Sequence, residues 1–318
     1  MIHHHLSALL LLPVLGAAVQ AASATHETTL PSLGEFTLID DGPTIGGWLE
    51  ASYNDFAGNF AVGRNRLQVD GNFNKYGYRI SLAYDDATSS MGLSDAYATA
   101  TAMGVGWTFG QFRAPTTSSH LLTESRQFFM DRTGFGGGGL RQTGLMASGS
   151  FDSFGWSLAM MDDEGVIADP NDDDEDLHAR VSFDVIGSSM SACEGSYDSL
   201  GTTNLSVAAA LDNGSSGDST YIEATYSTGT FWGHIELVDA DSGSPLTLAA
   251  TYAVTTQYEV GLRTEDPDDG TDSTTTIAIN RYISGHDCKW TLQFDDGDDY
   301  DTDGSSDQRL SAGFLVSF

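Results

Sequence analysis

The chain has 318 residues, with 13 Lys and Arg against 45 Asp and Glu, for a formal net charge of -32. Such an excess of carboxylates repels phosphate polyanions and anionic membrane surfaces, which excludes nucleic-acid binding. A solvated acidic protein of a saline habitat fits the same totals, so residue order has to decide.

The first 24 residues, MIHHHLSALLLLPVLGAAVQAASA, read as a cleavable export signal: a polar start, an apolar run and the small-residue site Ala22-Ser23-Ala24. Its polar start carries His3, His4 and His5 where Lys or Arg is usual. Residues 25–43 are expected to form an N-terminal extension, and 44–318 the folded body. No later stretch reaches the roughly 18 apolar residues of a transmembrane helix. A secreted β-protein or a membrane β-barrel remains, because only helices and closed barrels satisfy their backbone groups in lipid.

Polar and apolar residues then alternate with the period of a strand that has one apolar face. The segments are 44–54, 60–74, 75–86, 93–101, 103–113, 142–151, 153–163, 176–187, 203–212, 218–227, 229–240, 245–254, 256–265, 273–283, 286–296 and 306–318, sixteen in all. In KYGYRISLAYD, Tyr76, Tyr78, Ile80, Leu82 and Tyr84 share a face; in SFGWSLAMM, Phe154, Trp156, Leu158 and Met160 do. In DCKWTLQFD, Trp290, Leu292 and Phe294 oppose Lys289, Thr291, Gln293 and Asp295. Aromatic residues near strand ends suit interfacial girdles.

Tight connectors such as Asn74-Lys75, Asp152 and Gly229 take turns with longer, mostly Asp-rich ones. The longer ones are DDATSSMG, DDEGVIADPNDDDED, LDNGSSGDS, DADSGSP, EDPDDGTDS and DDGDDYDTDGSSD. Short periplasmic turns, long acidic external loops and an even strand count define an all-β, transmembrane antiparallel β-barrel, here of about 16 strands. One connector breaks the rule: GSSMSACEGSYDSLGTT, 187–203, falls where a short turn belongs, so it marks either a missed hairpin or a segment folded at the periplasmic mouth. The closing LSAGFLVSF puts Leu310, Ala312, Phe314, Val316 and Phe318 on one parity, expected to face lipid in a strand that closes the barrel. Its Ser311, Gly313, Val316 and Phe318 resemble the terminal signal read by the outer-membrane assembly machinery.

The longest connector, 114–141, differs from the acidic ones in carrying Leu121, Leu122, Phe128, Phe129, Met130 and Phe135. Apolar residues of that kind pack against something, and in a barrel of this size an infolded loop constricts the lumen. Eight of the 13 cations lie within 64–141: Lys75 and Arg64, Arg66, Arg79, Arg113, Arg126, Arg132 and Arg141. These seven arginines are the candidate pore-lining residues. Guanidinium forks there attract anions; alternatively, pairing with Asp70, Asp85, Glu124 and Asp131 makes them structural.

The run GRNRLQVDGNFNKYGYRISLAYDD, then LSDAYATA, then WTFGQFRAPTTSSHLLTESRQFFMDR, resembles the phosphate-selective porin O and P family. The resemblance covers about 60–150 in detail. It implies a trimeric outer-membrane channel that passes anions or small solutes by diffusion, without cofactor or turnover. Arg64, Arg66, Arg113, Arg126 and Arg132 match its motif positions. The chain departs from that family in having only Lys75 and Lys289 as lysines, and in its anionic loops.

The expected function is therefore a porin in the outer membrane, surrounded by bilayer lipid and lipopolysaccharide. Two other readings stay open: a cation-preferring porin governed by the acidic loops, and a secreted acidic structural or adhesive β-protein. No catalytic site is assigned, because G-x-S-x-G is absent and His120, His178, His234 and His286 are scattered. No metal is assigned either: the acidic runs 172–176 and 295–303 offer oxygen donors for Ca²⁺, but DYDTDGSSD lacks the closing Glu of a calcium loop. The strands beside Cys193 and Cys288 are far apart around the expected barrel, so a disulfide, which needs Cα atoms within about 7 Å, requires 187–203 to cross the mouth.

Overall fold

The computed structural model describes residues 43–54, 58–85, 90–133, 141–162, 175–187, 193–197, 203–214, 217–240, 243–268, 273–297 and 308–318. The expected leader 1–24 and all but the last residue of the extension 25–43 lie outside the described residues, as does most of the acidic connector sequence. Among the described residues no helix is long and apolar enough to cross a membrane. Any crossing that the described residues make is therefore made by strands.

The first strands are β1 (Thr44–Asn54), β2 (Asn59–Val62), β3 (Arg66–Phe73), β4 (Tyr76–Asp85), β5 (Ser90–Ala102) and β6 (Val105–Arg113). A one-turn helix, α1 (Ser118–Leu121), and a 3-10 turn (Glu124–Arg126) follow. Then come β7 (Arg141–Phe151), β8 (Phe154–Asp162), β9 (Glu175–Ile186), β10 (Thr203–Gly214), β11 (Gly217–Thr228) and β12 (Phe231–Ala240). The last are β13 (Leu246–Ala253), β14 (Tyr258–Asp266), β15 (Thr274–Ser284), β16 (Cys288–Asp296) and β17 (Gln308–Ser317).

All pairings between neighbouring strands are antiparallel, and β17 closes on β1 with Trp48 opposite Ser317 and Asn54 opposite Ser311. β2 and β3 share one position in the wall, pairing with the second half (Ala51 opposite Val62) and the first half (Trp48 opposite Arg66) of β1. The barrel thus has sixteen strand positions, as the alternation predicts. The expected strand 60–74 is broken at 63–65, where Asn65 bridges the kink. Its Oδ1 accepts the Glu50 N–H at 2.7 Å and its Nδ2 donates to the Gly63 carbonyl at 3.0 Å. The break turns Arg64 toward Glu50 in the lumen.

Connector length follows the predicted rhythm, but several of the expected long connectors are shorter than predicted. LDNGSSGDS is mostly strand: β10 and β11 stay paired to Gly214 and Gly217, leaving only 215 and 216 between them. DADSGSP is likewise short, closed by a bridge between Ala240 and Gly243. Strand pairing satisfies backbone groups that a loop would leave to water, so Asp212, Asp218 and Asp239 ride on extended strand ends. At the opposite end, Met103 and Gly104 both take positive φ, 54° and 79°, the conformation of a tight two-residue hairpin turn.

The outer face is apolar over the whole circumference, with Leu49, Ile80, Leu158, Ile222, Leu262 and Ile277 all exposed. Phe73, Tyr76, Phe151, Phe154, Tyr252 and Tyr258 are exposed beside the tight turns, a girdle at that end. Phe318, just past β17, is exposed, but Phe314 within it is covered, its ring 4.4 Å from that of Trp290. Leu315, of the other parity, is buried inside.

Candidate functional site

The described part of the long connector, 114–133, crosses the barrel interior. Phe128 and Phe129 form an edge-to-face pair, ring centroids 4.9 Å apart, and pack with inward Trp232, Ala249 and Ala278 into the main buried apolar cluster. Small wall residues make the dent that receives them. A Cβ at Gly261 would stand 2.4 Å from the Phe128 ring, so this glycine is required by close approach. A segment inside a barrel needs partners for its backbone, and the far wall and the connector 187–203 supply them. Ser118 N–H donates to Glu223 at 2.8 Å, Phe128 N–H to Glu194 at 2.8 Å and Met130 N–H to Gln293 at 2.8 Å. In return, Asn280 donates to the Phe128 carbonyl at 2.9 Å and Arg263 to that of Asp131 at 2.8 Å. Lys289 and Arg180 donate to the carbonyls of Gln127 and Thr116.

The near wall is basic. Arg66 reaches Asp95 at 2.8 Å and Arg141 reaches the other oxygen of the same carboxylate at 2.7 Å. Glu124, in the 3-10 turn, gathers Arg113 at 2.6 Å, Arg132 at 3.3 Å and Arg66 at 3.5 Å. Arg79 pairs with Asp70 at 2.6 Å, and Arg64 with Glu50 at 3.1 Å. Six guanidinium groups thus face four carboxylates, a local excess of two positive charges in a strongly acidic chain. Burial alone would raise the Glu124 carboxyl, but Arg113, Arg66 and Arg132 outweigh it and hold it at about 2. Burial pushes the His120 imidazole down to about 4.

The seven predicted arginines divide by role. Arg113 and Arg132 donate to the carbonyls of His120 and Leu122, clasping the loop to itself and to β6. Arg66 is buried, stacked 4.9 Å from the Trp48 ring. Arg64 and Arg79 keep a third of their side chains exposed and face open space. A cavity of about 450 Å³ is lined by Arg64, Glu50, Tyr84, Asp131 and Arg309, and another of about 250 Å³ by Arg79, Arg66, Tyr97, Arg113 and Arg141. Arg126 stands apart, 3.4 Å from Asp287 and exposed. Of the expected carboxylate partners, Asp70 and Glu124 take these arginines, Asp131 pairs with Arg309, and the Asp85 side chain lies outside the described residues.

The irregular connector 187–203 also folds inward. Among its described residues, Cys193, Glu194, Gly195 and Ser196 are buried. Ser196 N–H and Oγ donate to Glu259 at 2.5 and 2.8 Å, and Tyr197 lies 4.2 Å from the Tyr282 ring. Glu194 N–H donates to the Arg126 carbonyl at 3.0 Å, so the two infolded segments meet. Cys193 and Cys288 are both buried and are not joined by a disulfide. Sequence reasoning missed Asp95, Glu194 and Glu223 as organisers of the lumen. Asp95 lies within the Asp-Ala-Tyr element, and a carboxylate inside a strand segment was the available signal.

No protein-family model matches the chain, and no curated protein matches it. Solved structures do. Two engineered variants of the Rhodopseudomonas blastica porin are similar at 14% identity, over 87% of this chain and 100% of theirs, with TM-scores of 0.61 and 0.62. A chain described as "Asymmetric conductivity of engineered proteins" aligns over the same shares at 14% identity, with a TM-score of 0.60. At that identity the likeness is one of fold. It reaches the general porin barrel and does not extend to the phosphate-selective O and P family.

Proposed function

We propose that this protein is an outer-membrane diffusion channel for small hydrophilic solutes, with a constriction biased toward small anions. The observation that carries this reading is the open space along the basic wall of a closed barrel whose outer face is apolar. Charges act over a screening length of about 8 Å at physiological salt, so groups lining the narrow passage outweigh distant ones. Arg64 and Arg79 are the cations most exposed to those two cavities. Guanidinium forks suit phosphate and carboxylate oxygens, which makes inorganic phosphate the first permeant to try. Export by the leader 1–24, assembly through Phe318 and a homotrimer in a lipopolysaccharide-bearing bilayer complete the proposal.

The zero-current potential of the purified protein in a planar bilayer under a KCl gradient, repeated with phosphate, tests it. Anion preference with phosphate blocking chloride current is the expected result. Cation preference would transfer control to the acidic residues of the long-loop end, a reading favoured by the exposed Asp131 carboxylate and the net charge of -32. Absence of conductance would overturn the channel. Heat-modifiable, detergent-dependent migration as a trimer separates the channel from a secreted β-protein.

A further inference from the structure

We propose that the lumen wall at the long-loop end of β7, β9 and β10 is a site for one divalent transition-metal ion. His178, Asp212 and Asp176 are its ligands, and Gln142 is the residue that positions them.

The four side chains point inward from three strands. Asp176 and His178 share the inner face of β9, and Asp212 on β10 is paired directly across from His178. Donor atoms of Asp176, His178 and Asp212 all lie within 4.8 Å of one another. Gln142 reaches across β8, and its Nε2 donates to Asp176 Oδ2 at 2.7 Å. That bond fixes the amide, so the Gln142 carbonyl oxygen faces His178 Nε2 at 3.1 Å and requires a hydrogen on that nitrogen. In a neutral ring the lone pair is then on Nδ1, and Nδ1 stands 3.2 Å from Asp212 Oδ1. In that tautomer the ring lone pair faces the carboxylate oxygen. Nδ1 has no hydrogen-bond partner, although the His178 side chain is only 3% exposed.

A cation between them resolves the conflict. Ligand bonds of about 2.0–2.1 Å in tetrahedral geometry place donor atoms about 3.3 Å apart, close to the observed 3.2 Å. An imidazole whose second nitrogen is held by a hydrogen bond is the usual form of a metal-binding histidine. Imidazole with two carboxylates suits Zn²⁺, Co²⁺ or Ni²⁺ better than Ca²⁺, which takes more numerous oxygen ligands. Arg180, the next inward residue on β9, is held by Glu223 and the Thr116 carbonyl. The Asp212 side chain is 21% exposed, so an ion reaches the site from the lumen. The other comparable cluster, Glu223, His234 and Glu236, already holds Arg180 and the two loop serines, which leaves less charge for an ion. The site does not depend on the channel reading.

The test is a Co²⁺ titration of the full chain in detergent, chelator-treated and carrying no added histidine tag, followed by visible spectroscopy and Zn²⁺ competition. One equivalent of Co²⁺ should give d–d bands of low-coordinate geometry that Zn²⁺ abolishes. His178→Ala and Asp212→Asn should each lose the bands, and Gln142→Ala should weaken binding about 10- to 100-fold. Leu177→Ala, on the lipid-facing side, should leave binding unchanged. Heat-modifiable migration reports folding, and if His178→Ala fails to fold, the near-isosteric Asp212→Asn decides. Absence of saturable binding in the parent overturns the proposal. So does binding that survives these substitutions, which would locate the ion elsewhere in the chain.

Discussion

The two halves of the lumen wall handle charge in opposite ways. On β1–β6 and the start of β7, guanidinium groups outnumber carboxylates, and the most exposed of them, Arg64 and Arg79, line open cavities. On β11–β16, buried carboxylates such as Glu223 and Glu259 accept hydrogen bonds from the backbone N–H groups of the infolded segments. A carboxylate whose oxygens are filled by amide and hydroxyl donors is an anchor, whereas a guanidinium with part of its surface in solvent is a local field. Much of the acidity on β11–β16 therefore holds the infolded segments, whereas Arg64 and Arg79 line the two open cavities, alongside the carboxylates of Glu50, Asp131 and Asp95.

The largest effect should come from breaking the anchoring half. Phe128→Ala removes the ring at the centre of the apolar cluster, and truncations of this kind cost about 3–5 kcal/mol. Gly261→Val drives a side chain into the same ring, with overpacking typically costing about 1–3 kcal/mol. Both should release the loop, raise single-channel conductance severalfold and expose 114–133 to protease, while the barrel keeps its detergent resistance. Unchanged conductance in both would mean the loop does not set the bore.

Changing the balance of the basic half should have a smaller, directional effect. Glu124→Gln leaves six guanidinium groups against three carboxylates, and should shift the zero-current potential further toward anions while loosening the loop. Arg64→Ala with Arg79→Ala should move it the other way, by an amount that shrinks at high salt. A pair of variants that moved in the same direction would sink the assignment of the field to this wall.

The smallest effect is expected from pH. The imidazole of docked His120 is held at about 4, below its ordinary 6.5, so a released loop binds a proton more readily between those values. Docking should weaken as pH falls from 6.5 to 4 and then lose nothing more from this group. Glu124, held at about 2 against an ordinary 4.5, adds stability that is full above 4.5 and lost on the way down to 2. Protease sensitivity of the loop should therefore rise as pH falls below 6.5. His120→Asn should flatten the upper part of that profile, and a flat profile in the parent would refute it.

The wall of this barrel was legible because each strand carries its own evidence. A period of two needs no partner to be read, and the alternation places Lys289, Gln293 and Asp295 inside and Leu158 and Met160 outside. The connector 114–141 was likewise conspicuous, since its phenylalanines had no reason to sit in water. Even the irregular 187–203 announced itself by length. Local chemistry could not supply the partners. Asp95 joins arginines 29 residues before it and 46 after it, and Glu223 receives a loop 105 residues away in the chain. Whether an arginine clasps a carbonyl, as Arg113 does, faces open space, as Arg79 does, or stands at the rim, as Arg126 does, depends on closure of the sheet. The sequence by itself determined an even-stranded β-barrel with an apolar exterior and an infolded loop. The tertiary structure alone decided which charges cancel, because ion pairing is set by distances of about 3 Å between residues that have no relation in sequence.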